Sequence, residues 1–172
     1  LPDLISARLR SGRLTFAMEP FCRRRGARFS QARVTGVDTQ ACRVITDRGT
    51  HEADFLLLCL GCETNYYGNQ TASAHAPGLK SVAEGREIRH RALELFDHAR
   101  SEGKRSRFFV VGGGYTGFEA ASHLALLLAR HTGVSLSDLP EQAEVEILEK
   151  ADEPLRNCSE VTRQWACDLM RS

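Results

Sequence analysis

The chain has 172 residues, enough for one or two domains with cores of their own. A formal net charge of +1 gives no electrostatic reason to expect a nucleic acid or an acidic substrate. The longest apolar runs, 55–60 and 124–129, are far too short to span a bilayer, and the first residues do not follow the charged-then-apolar order of a signal peptide.

Taken in order, residues 1–12 read as a short amphipathic piece ending at Ser11-Gly12. Residues 16–25 read as a helix stopped by Gly26. Arg23-Arg24-Arg25 at that helix end suit the negative pole of the helix dipole and are expected to be solvated, not a phosphate or membrane patch. From Ala27 the period changes. Three strand-like runs, 27–37, 42–47 and 52–60, are divided by the turn sequences Asp38-Thr39-Gln40 and Asp47-Arg48-Gly49-Thr50. The end of the third run, Asp54-Phe55-Leu56-Leu57-Leu58-Cys59-Leu60-Gly61, becomes continuously apolar. That is the pattern of a strand covered on both faces in a parallel sheet. A glycine at its carboxyl end is where open α/β sheets admit a ligand, so a nucleotide site is expected there.

Residues 62–78 read as loop. Residues 79–102 form a long helical pattern, with Val82, Ile88, Ala92, Leu95, Phe96 and Ala99 near 3.6 spacing, closed by Gly103-Lys104. Phe108-Phe109-Val110-Val111 then runs as a buried-type strand into Gly112-x-Gly114-x-x-Gly117, and a second helical pattern follows at Phe118, Ala121, Leu124, Ala125 and Leu128. Strand, glycine turn and helix in that order make a dinucleotide fingerprint. The turn brings backbone close to a pyrophosphate, and the helix start points free N–H groups at it.

An irregular stretch, 131–142, separates this helix from a second strand, 143–149. Glu149, at the strand end, is the candidate acceptor for a ribose 2′-hydroxyl, against the alternative of an ordinary surface glutamate. It lies 32 residues after Gly117, longer than the usual interval of roughly 20, and the excess matches the 131–142 stretch. A carboxylate there favours NADH over NADPH, although Lys150 and Arg156 nearby work in the opposite direction. Residues 159–170 read as a last helix with Ser159 as its cap.

The six cysteines carry no framework. Cys59-Leu60-Gly61-Cys62 has CxxC spacing, but no second CxxC or histidine pair completes a zinc set, and reduced thiols are the expectation. No metal site is expected.

Gly112-Gly113-Gly114-Tyr115-Thr116-Gly117-Phe118-Glu119-Ala120-Ala121 resembles the NADH-site signature of type II NADH dehydrogenases, members of the superfamily of pyridine nucleotide-disulfide reductases. The segment from Asp54 to Gly68 resembles the second FAD-contacting motif of the same enzymes, in which a serine commonly stands where this chain has Cys62. Residues 79–89 resemble the entry to their NADH domain. Together the matches cover most of 27–150.

The resemblance implies an α/β protein with two Rossmann-like domains, both incomplete in this chain. Residues 1–78 would be part of an FAD domain: a helical entry, a three-stranded antiparallel segment and a last parallel strand. Residues 79–172 would be part of an NADH domain. Gly112, Gly113, Gly114, Tyr115, Thr116 and Gly117 would hold the NADH pyrophosphate and Glu149 its ribose. Val34, Leu60, Gly61 and Thr64 would contact FAD. Glu119, expected on the first turn of the fingerprint helix, would be an acid near the nicotinamide.

The parent would pass hydride from NADH to FAD and electrons to a quinone. The alternatives are a disulfide or protein acceptor, or a dinucleotide-binding module without chemistry. The parent would be cytoplasmic, allowing peripheral attachment to the membrane through a region outside this chain, and allowing a homodimer. The chain lacks an initiator Met and the FAD fingerprint of such enzymes. It is therefore expected to be a fragment that binds FAD poorly and has little activity alone.

Overall fold

A computed structural model describes residues 1–8, 12 and 15–171. These fall into two compact units, residues 15–62 and residues 1–14 with 63–172. The expected amphipathic piece over 1–12 lies partly outside the described residues; of it, Pro2–Ile5 forms a short helix, α1.

The smaller unit opens with helix α2 (Met18–Arg24). Gly26, at φ 69°, takes the left-handed turn that ends it, and the Arg25 guanidinium stacks 4.1 Å over the Phe21 ring. A three-stranded antiparallel sheet follows: β1 (Val34–Asp38), β2 (Arg43–Thr46) and β3 (Gly49–Glu52). Its turns are chemically specified. The Asp38 carboxylate accepts the N–H groups of Gln40 and Ala41, each at 3.0 Å, and Asp47-Arg48 closes a two-residue hairpin between paired Thr46 and Gly49. The third strand therefore starts earlier than its apolar run.

The buried strand expected over Asp54–Leu60 does not form. This segment carries no strand; Phe55 is 92% exposed and Leu57 85%. An apolar run becomes a central strand only when neighbours pair with both of its edges and cover both faces. Within the unit the only sheet is the short β1–β3 ladder, which does not include it.

In the larger unit, α3 (Gln70–His75) interrupts what reads as loop, started by Asn69, whose side chain accepts the Ala72 N–H at 2.9 Å. Helix α4 (Val82–Ser101) begins with a full capping box: Ser81 Oγ accepts from Glu84 N, and Glu84 Oε2 accepts from Ser81 N at 2.7 Å. Strand β4 (Ser106–Val111) lies parallel to β5 (Ala143–Leu148), paired in unbroken register from Ser106 with Ala143 to Val111 with Leu148. Helix α5 (Tyr115–Thr132) is the crossover between them, ended by Gly133. A 3₁₀ turn, Leu139–Glu141, precedes β5, and helix α6 (Glu160–Arg171) closes the chain.

The core gathers Phe96 and Ala92 of α4, Leu124, Leu127 and Leu128 of α5, Leu139, Ala143 and Ile5. Phe108 and Val145 pack against it from the sheet. The other face of β4 is open, with Phe109 52% and Val111 74% exposed, so the fingerprint strand is covered on one face only. Helix α1 is held to α5 by Ser6 Oγ, 2.7 Å from His123 Nδ1, with Asp3 3.8 Å from the other ring nitrogen. Burial pushes His123 below its ordinary pKa. Ser6 is 2% exposed, so this serine–histidine–aspartate grouping is a packing contact and not a nucleophile open to substrate.

Candidate dinucleotide site

The site is the elbow between β4 and α5, at the carboxyl end of the parallel pair, where this architecture presents ligands. Gly112 continues the ladder by donating its N–H to the Leu148 carbonyl at 2.8 Å, then turns the chain at φ 107°, a conformation that a side chain would strain. Gly117 serves a different need. A Cβ there would collide with the Gly112 carbonyl oxygen and lie 3.6 Å from Val110, so the helix reaches its close seat on the strand only because the position carries no side chain.

Gly114 is the N-cap of α5, so the cap residue has no side chain to bond that end, and no other side chain among the described residues caps it. The first N–H groups of a helix have no acceptor within the helix. The space beside Gly114 is open: a Cβ there would meet nothing within 4 Å among the described residues beyond its chain neighbours. An uncapped helix start with open room over a glycine backbone fits a pyrophosphate, because the N–H donors and the helix dipole favour the anion.

Glu149 is brought to this turn from just beyond β5. Its Oε2 accepts the Gly113 N–H at 2.6 Å and its Oε1 accepts the Ala151 N–H at 2.9 Å. The Ala151 bond first, then the Gly113 bond, hold the carboxyl below the ordinary glutamate value of 4.5, against a smaller opposing effect of burial. A carboxylate whose folded pKa is lowered grips the turn fully above 4.5 and lets go only as pH falls through its lower folded value. Glu149 thus takes one turn donor, Gly113 N–H, away from any pyrophosphate. It leaves the donors from Gly114 onward unclaimed by this carboxylate, which keeps lone pairs for further donors.

The segment after Glu149 also docks on the turn, which the sequence did not announce. The buried Leu155, at φ 53°, donates its N–H to the Gly113 carbonyl at 2.8 Å. The Cys158 thiol beside the Tyr115 hydroxyl pushes the phenol above its ordinary pKa. Both backbone groups of Gly113 are therefore claimed by residues 149–155, over a sequence distance that no local pattern encodes.

Glu119 is on the second turn of α5, not the first, because the helix begins at Tyr115. It is exposed and too far along the helix for the dipole to be its reason. The residues matched to FAD do not come together in one unit. Val34 opens β1, while Leu60 and Gly61 lie on the strandless segment of the same unit; Thr64 belongs to the other unit, its Oγ1 buried without a hydrogen-bond partner. Cys59 and Cys62 are exposed free thiols on that same segment, and no group of three metal-binding side chains occurs among the described residues.

The sequence pattern of the family described as pyridine nucleotide-disulphide oxidoreductase matches residues 17–172. The type II NADH:quinone oxidoreductase NdhA of Mycobacterium tuberculosis is 34% identical over 106 residues, covering 57% of this chain and 22% of that protein. Demethylphylloquinone reductase NdbB of a Synechocystis species is 30% identical over 148 residues, covering 82% of this chain and 33% of the relative. The structure of NDH2 from Plasmodium falciparum in complex with NADH superposes with a TM-score of 0.77 at 19% identity, covering 99% of this chain and 38% of that one. The chain thus spans a third or less of these two curated relatives, and the structural likeness establishes the fold.

Proposed function

Because this chain belongs to the pyridine nucleotide-disulphide oxidoreductase family, we propose that it supplies the nicotinamide-dinucleotide cradle of an NADH:quinone oxidoreductase. The observation that carries the reading is the uncapped start of α5 behind the positive-φ glycine, Gly112. The relatives at 30% identity or above, named as NADH:quinone oxidoreductases and a demethylphylloquinone reductase, support NADH as donor and a quinone as acceptor.

In this reading residues 79–172 are part of the NADH domain and residues 1–78 part of an FAD domain. Gly114, Tyr115, Thr116 and Gly117 direct backbone N–H groups at the pyrophosphate, with Gly112 shaping the turn. Glu149 accepts a ribose hydroxyl while it holds Gly113. Glu119 stands on the exposed second turn of α5 as the acid nearest the nicotinamide end. Val34, Leu60, Gly61 and Thr64 are the FAD contacts of the parent, taken up when the segment 54–61 is paired. FAD, when bound, takes two electrons as hydride and can release them singly. The protein's part is to place the donor against it and keep water away. The parent works at the cytoplasmic face of a membrane as a peripheral protein; no helix among the described residues is long and apolar enough to cross one.

Glu149→Gln tests the ribose assignment. Gln keeps the volume and loses the charge, so NADH affinity measured by calorimetry on this chain should fall about tenfold, the worth of one hydrogen bond to a charged group. An unchanged affinity, with NADH still bound, places the ribose contact elsewhere.

A further inference from the structure

The turn after β5 builds a charged cavity of about 430 Å³ lined by Asp152, Glu153, Arg156 and Arg163. Three of these residues lie on the loop that Leu155 fixes to Gly113, so the cavity is held beside the glycine turn and Glu149. Arg163 rises from the first turns of α6, its backbone N–H bonded to the Ser159 carbonyl at 3.0 Å. Its Nη1 lies 3.3 Å from Glu153 Oε2. Arg156 lies near enough to Glu149 to favour its ionised form. The cavity therefore holds two guanidinium groups, of which Arg163 is paired with a carboxylate, and its four lining charges sum to zero.

Two guanidiniums beside the ribose end of a dinucleotide site are the chemistry that recognises a 2′-phosphate, because the planar fork matches phosphate oxygens bidentately. Here both guanidiniums are present, and Arg163 is already paired. Resting on the NADH reading, we propose that Glu153 is a selectivity residue: by tying up Arg163 it denies the 2′-phosphate of NADPH its guanidinium. Discrimination against NADPH then comes from two carboxylates. Glu149 repels the 2′-phosphate at the ribose, and Glu153 removes its attractive partner.

The Glu153 side chain is 61% exposed, and partly exposed pairs of this kind contribute little to stability, so Glu153→Gln should fold normally. Calorimetric titrations of the 172-residue chain with NADH and with NADPH, on wild type, Glu153→Gln and Glu153→Gln with Arg163→Ala, read the effect as a ratio of affinities. Glu153→Gln should raise the NADPH-to-NADH affinity ratio about threefold, the scale of a partly exposed ion pair, and adding Arg163→Ala should remove the gain. NADH binding with an unchanged ratio in Glu153→Gln overturns the selectivity role and leaves the cradle standing. A gain that survives Arg163→Ala overturns Arg163 as the phosphate partner. Failure of wild type to bind either nucleotide overturns the cradle, and the selectivity proposal with it.

Discussion

Phe96→Ala should lower the unfolding free energy of the larger unit by about 3–5 kcal/mol, the usual cost of truncating a buried aromatic to alanine. Phe96 is 1% exposed and is the largest fully buried side chain of the core, with its ring 6.1 Å from that of His131 in an edge-on arrangement. Alanine would leave a void where α4 meets α5 and the sheet, and packed helices close such a void only in part. For a chain of this size the melting temperature should fall by roughly 10 °C or more. The single tryptophan, Trp165, belongs to the larger unit, so its fluorescence during urea denaturation reports on that unit without the β1–β3 sheet. A loss below about 1 kcal/mol would mean that Phe96 is not the centre of this core.

Gly117→Ala should damage fold and binding together. The added Cβ meets a backbone carbonyl, which cannot swing aside as a flexible side chain can, so the elbow between β4 and α5 must open. Overpacking of this kind costs about 1–3 kcal/mol. Because the same movement displaces the donors of the helix start, NADH affinity should fall by more than about tenfold. Denaturation and calorimetry on one preparation check both. A variant as stable and as tight as wild type would mean that the helix does not need its close seat on the strand.

The parts of the fold that the sequence announces are those whose signals are local. The elbow is legible because an apolar strand, a glycine triplet and an amphipathic helix each leave their own mark within about thirty residues. Helix α4 is legible at both ends, through the Ser81–Glu84 capping box and through Gly103. The antiparallel sheet is legible at its turns, though β3 comes earlier than its apolar neighbours suggest.

What fails depends on distant partners. The run from Asp54 to Leu60 has the composition of a central strand, but composition does not supply the neighbours a central strand needs. In this unit the run lies exposed. The helix α3 is six residues long, too short for periodicity to show, and rests on one Asn69 cap. Glu119 moves by a turn because the helix starts at its glycine cap and not at its first apolar residue. Glu149 is singled out in the sequence for a ribose. Its grip on Gly113, 36 residues away, and the docking of Leu155 beside it are tertiary facts. So is the pairing of Arg163 with Glu153, which turns a charged loop into a candidate selectivity device.

The central claim is that the space over Gly114 is where a dinucleotide backbone lies. Gly114 has φ −76°, which any residue adopts, and among the described residues a Cβ there meets nothing within 4 Å beyond its chain neighbours. Gly114→Ala therefore adds one methyl group to open space, at a cost to the fold of no more than about 1 kcal/mol for exchanging a glycine N-cap for alanine. The decisive measurement is calorimetric titration of this variant with NADH beside its urea denaturation curve. The account predicts a denaturation midpoint lowered at most slightly and an NADH affinity weakened at least about tenfold, because the methyl group stands where the pyrophosphate must approach. NADH bound as tightly as by wild type would contradict it.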